Sequence, residues 1–162
     1  MKRVAAGLVA IAFLALAAGW APRHGTPVRT CKATGQVRFS PPLSGTPGTT
    51  EQIYRNSHTN LSSCVLDIAT GTFAGTLTGT GSCAHAKAKG TLTFTWSLGP
   101  KSKASVKFKS LSNGKGKLTG TVTHGQLKGS AVSGTLTFTV IKGNCTKGPG
   151  VSLATFTGKL TI

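Results

Sequence analysis

Three successive segments between Ala86 and His124, at positions 87–97, 101–111 and 115–123, alternate with a period of two. Their odd positions read Lys87, Lys89, Thr91, Thr93, Thr95, then Lys101, Lys103, Ser105, Lys107, Lys109, then Lys115, Lys117, Thr119, Thr121, Thr123. The even positions hold Leu92, Phe94 and Trp96, Val106 and Phe108, and Leu118 and Val122. Successive side chains of a strand point to opposite faces. The alternation therefore predicts an antiparallel sheet with an apolar inner face and an outer face of threonines and lysines. Leu98-Gly99-Pro100 and Asn113-Gly114 mark the turns, and Asn-Gly is a strong hairpin signal.

The same period carries through the rest of the chain. Strands are expected at 31–40, 51–64, 69–81, 131–141 and 151–162, giving eight with the central three. Pro41-Pro42 should end the first, because proline cannot donate to a ladder. The 51–64 segment is the least regular, and Ile53, Tyr54 and Leu61 fit no single alternation, which points to a bulged or edge strand. A Gly-Thr-x-Thr phrase recurs at Gly75, Gly90, Gly120 and Gly134 with uneven spacing, so it is a repeated strand chemistry and not a solenoid. Gly35, Gly75, Gly79, Gly120, Gly134 and Gly158 sit at inward positions, where glycine suits a tightly coiled sheet. The predicted fold is all-β, an eight-stranded antiparallel up-and-down barrel, with a two-sheet sandwich as the alternative.

Ahead of this domain, Lys2-Arg3 and the apolar run from Val4 to Trp20 read as a signal peptide over residues 1–20. The run borders on membrane-spanning length, so an uncleaved anchor is the alternative. Residues 21–30 read as a flexible lead-in and 31–162 as one β domain. No second apolar run follows, so no membrane span is expected in the mature chain. Four cysteines in an exported chain imply two disulfides. With strands running alternately up and down, Cys31 and Cys64 fall at one end and Cys83 and Cys145 at the other. A whole strand separates Cys64 from Cys83; thirteen extended residues span about 40 Å, whereas bridged Cα atoms lie about 5–6 Å apart. The expected bridges are Cys31–Cys64 and Cys83–Cys145. No Cys-x-x-Cys pair is present, so no zinc site is expected.

The segments 72–83, 90–96 and 134–140, with Gly143-Asn144-Cys145, resemble a group of small exported Thr/Gly-rich, four-cysteine proteins of high-GC Gram-positive bacteria. The resemblance spans nearly all of the mature chain. The group has no established activity, so the resemblance implies no catalytic residues. Many such chains are nearly neutral where this one carries lysine.

Charge is the one strong functional signal. The chain has 19 Lys and Arg against two acids, a formal +17, of which Lys2 and Arg3 belong to the leader. Such a balance attracts polyanions. Glu51 and Asp67, in different segments, make a carboxylate pair for acid–base catalysis improbable. No Gly-x-Ser-x-Gly or P-loop spacing occurs, and His58, His85 and His124 lack ligand spacing. Neither an enzyme nor a cofactor or metal site is expected. Aromatics for base stacking are few and point inward, which argues against sequence-specific nucleic-acid readout. The expected function is therefore that of a secreted or cell-wall-associated protein. Its face of Lys87, Lys89, Lys101, Lys103, Lys107, Lys109, Lys115 and Lys117 would bind an anionic wall polymer, acidic polysaccharide or extracellular DNA without sequence specificity. The alternative is a carrier holding a small apolar ligand among Phe94, Trp96, Phe108, Leu118 and Phe138.

Overall fold

A computed structural model describes residues 29–46, 51–65 and 70–162. The leader, most of the lead-in and the 66–69 link with Asp67 lie outside the described residues. The strands are β1 (Thr30–Leu43), β2 (Gln52–Val65), β3 (Gly71–Gly81), β4 (Ala86–Trp96), β5 (Ser102–Ser110), β6 (Lys115–Gly125), β7 (Ala131–Lys142) and β8 (Val151–Thr161). Each pairs antiparallel with the next, and β8 pairs with β1, closing an eight-stranded up-and-down barrel. The alternation read in the central strands holds. Leu92, Phe94, Trp96, Ala104, Val106, Leu118 and Val122 are buried, and the lysines between them are exposed.

Tight coiling is what brings the sheet round on itself, and the inward glycines permit it. A Cβ on Gly79 would lie 2.6 Å from the Ala88 Cα, and one on Gly120 would lie 2.9 Å from the Val106 Cα. Any side chain there would push the neighbouring strands apart. At the β5–β6 turn Asn113 and Gly114 both take positive φ, 59° and 66°, as the Asn-Gly signal requires.

Three details differ from the sequence reading. β1 does not stop at the prolines. It runs on to Leu43, and its pairing with β8 jumps from Arg38↔Leu153 to Leu43↔Val151. Pro41 and Pro42 fall inside that irregularity, where the ladder needs no N–H from them. The irregular second strand is bulged but is no edge, since closure leaves none. Its register slips between Asn56 and Leu61 around His58, whose φ is 48°. Thr59 repairs the gap: its Oγ1 accepts the Phe73 N–H at 2.8 Å and donates to the Phe73 carbonyl. Finally, Arg29 and Thr30, read as the end of a flexible lead-in, belong to the barrel. Thr30 opens β1, and Arg29 exchanges backbone hydrogen bonds of 2.7 and 2.8 Å with Ile162.

Both disulfides form as expected. Cys31–Cys64 joins β1 to β2 across a Cα separation of 4.0 Å. At the other end, Cys83–Cys145 ties the β3–β4 loop to the β7–β8 loop across 5.9 Å.

Candidate functional site

The lysine face is built by register. β4 and β5 set Lys87 opposite Lys109 and Lys89 opposite Lys107. β5 and β6 then set Lys109 opposite Lys117. Directly opposed residues have Cβ atoms about 5 Å apart, and like charges in that relation repel. Neither Glu51 nor Asp67 lies on these strands. The five lysines surround a shallow outer depression of about 590 Å³, flanked by Thr78 and Thr80 of β3 and Thr119 of β6. The row continues round the barrel through Thr135 to Lys159 and Lys32, which face each other on β8 and β1. Sequence reasoning missed that extension because the two strands are distant along the chain.

The remaining three lysines stand apart from the depression. Lys103 lies farther along β5, opposite Thr93 and His124. Lys101 precedes β5. Lys115, at the start of β6, borders the opening of the barrel interior. His58, His85 and His124 are exposed, and among the described residues no three His, Cys, Asp or Glu side chains gather as metal ligands.

The interior has two different halves. At the end where β4 finishes, it is solid. Phe94 and Trp96 stack with centroids 5.7 Å apart and planes 12° apart. Arg29, almost wholly buried, lies 5.3 Å over the Trp96 ring. Trp96 Nε1 donates to Ser102 Oγ at 3.0 Å, and that hydroxyl donates to the Gln126 carbonyl. At the end of the β5–β6 turn, an apolar cavity of about 360 Å³ remains, reaching down to Phe73, Leu92 and Phe156. Of the five residues expected around an interior ligand, Phe108, Leu118 and Phe138 line it, and Phe94 and Trp96 do not.

Tyr54 hangs into the cavity with its hydroxyl donating to Gln52 Oε1 at 3.1 Å, and burial pushes its phenol up to about 12. The Asn56 amide also lines it, donating to the Phe73 carbonyl at 3.4 Å. The polarity of this barrel is the inverse of a membrane-spanning one, which presents its apolar band outward. Among the described residues no helix is long and apolar enough to cross a membrane. No protein-family model, curated protein or solved structure matches the chain.

Proposed function

We propose that this chain is an exported, non-enzymatic barrel protein that binds anionic polymers through its lysine face. The supporting observation is the register that aligns Lys87, Lys109 and Lys117 beside Lys89 and Lys107 around one depression. Charge that served solubility alone would work as well scattered, and scattering would avoid the repulsion between opposed lysines. Threonines occupy the corresponding outward positions of β3, so the depression has lysines on three strands and threonines along its β3 side. The ligand class is a chain of repeated phosphate, sulfate or carboxylate groups, met as point charges and without base readout. Two disulfides fit an oxidising extracellular or envelope location for this function.

Retention of the oxidised protein on purified cell wall, acidic polysaccharide and DNA across a salt series tests the reading. Strong retention at low salt that collapses as salt rises is expected, because each neutralised phosphate releases a counterion. Absence of retention on all three matrices at low salt would refute it.

A further inference from the structure

The half-empty interior is a second feature, independent of the outer face. An unfilled apolar space in a protein costs stability in proportion to its volume. A mostly apolar cavity of this kind accepts apolar guests. This one has a floor and a mouth. The floor is the packed layer over Phe94 and Trp96, sealed by Arg29 and Ser102. The mouth lies between the β5–β6 turn, the end of β7 and the Cys83–Cys145 bridge.

The mouth has an unusual composition. Leu111 and Val140 line the cavity yet are 40% and 49% exposed, so the apolar lining continues out to solvent. Ile141, beside them, is also exposed. Lys115 is the single charged residue among those lining the cavity. The other polar groups of the lining are neutral ones, Tyr54 and Asn56 on β2, and Ser82 and Ser110 near the mouth. Such a site accepts an apolar body and an anionic end, in that order from floor to mouth. With about 30 Å³ for a small group in a liquid, 360 Å³ holds roughly a dozen non-hydrogen atoms. We propose that the cavity binds a single-chain anionic amphiphile of about that size, its chain inside the barrel and its acidic head at Lys115.

The test is calorimetric titration of the oxidised protein with decanoate, decan-1-ol and decyltrimethylammonium, each kept below its aggregation concentration. Decanoate should saturate one site, decan-1-ol should bind roughly fivefold more weakly, and the cationic amphiphile more weakly still. Lys115→Met should bring decanoate down to the level of decan-1-ol and leave decan-1-ol unchanged. Ala154→Phe and Val37→Phe, made separately, each place a ring into the cavity and should abolish binding while cooperative melting persists. A protein with Lys87, Lys107, Lys109 and Lys117 changed to Gln should still bind decanoate, which separates this site from the outer face. The proposal is overturned by the absence of saturable binding of all three probes. Equal affinity for the anionic and cationic amphiphiles would also overturn it, as would undiminished decanoate binding in a folded cavity-filling variant.

Discussion

Replacing Lys87, Lys107, Lys109 and Lys117 together by Gln should move binding and stability in opposite directions. The five lysines at the depression supply up to five phosphate contacts. At a slope of about −0.9 per contact on duplex DNA, log affinity should fall with log salt by about −4.5. Between 50 and 200 mM salt that is roughly a 500-fold loss. With only Lys89 remaining, the slope should approach −1 and the loss about fourfold. Stability is set by the same register. The variant removes three opposed pairs, Lys87–Lys109, Lys109–Lys117 and Lys89–Lys107. Ammonium groups about 7 Å apart in water repel by roughly 0.6 kcal/mol, cut to about 0.25 by physiological salt. The variant should therefore be more stable by about 0.5–1 kcal/mol, and more so at low salt. Fluorescence polarisation with labelled DNA reads the slope, and urea unfolding at two salt concentrations reads the stability. An unchanged slope would show that the face is not the contact surface. A lowered unfolding midpoint would show that the lysine stems hold the sheet together and that their repulsion is minor.

Thr59→Val should cost about 2 kcal/mol in urea unfolding, because the Phe73 N–H loses its partner at the β2 bulge and the Phe73 carbonyl keeps only the long bond from the Asn56 amide. Thr59→Ser keeps the hydroxyl and should recover most of it. Tyr54, the sole tyrosine, has its phenol raised from 10.0 to about 12 by burial. The contribution of its neutral form should be intact below pH 10 and be lost as pH rises to about 12, since the unfolded chain ionises first. Tyr54→Phe should remove that part of the alkaline loss, and phenolate absorbance in the parent protein follows Tyr54 alone. Replacing either cysteine pair by serine should destabilise the barrel by about 4 kcal/mol on the chain-entropy account, for closed loops of 33 and 62 residues. Equal melting temperatures with and without the bridges would contradict that account.

The fold was legible because one repeated physical signal ran through it. Alternation in β4, β5 and β6 assigns the inner and outer faces without knowledge of the partners. Strand direction then pairs Cys31 with Cys64 and Cys83 with Cys145. Direction also distinguishes the two ends of the interior. Phe94 and Trp96 lie late in β4, whereas Phe108 lies late in β5 and Leu118 early in β6, so antiparallel neighbours carry them to opposite ends. Their separation was thus readable, but the empty space between them was not. A cavity depends on how side chains from all eight strands fill a common volume, and parity reports only that they point inward. Arg29 was illegible for a related reason. A charged residue outside any alternating segment looks like solvent-facing chain until the Trp96 ring is known to lie beneath it. The continuation of β1 through Pro41 and Pro42 depends on a break in the β1–β8 pairing, where residues 39–42 of β1 stand against Ser152 alone, and alternation within one strand does not report such a break.

The hydrogen bonds between Arg29 and Ile162 make the two ends of the barrel chain neighbours. Topologically the strands form a ring with no privileged beginning. A short linker from residue 162 to residue 29, with a new cut at Lys128-Gly129, would give a circular permutant with the same eight pairings. Gly129 sits in an exposed turn with nothing within 4 Å of where a Cβ would stand, and the cut gives up the 2.8 Å bond from the Gly129 N–H to the Val122 carbonyl while the β6 and β7 ladders remain. In the native order the seam between β1 and β8 joins residues such as Thr30 and Thr161, 131 positions apart, and it is the most distant pairing to close. In the permutant that seam becomes a local hairpin and the β6–β7 pairing becomes the distant one. Which strands meet last is thus decided by where the ring is opened.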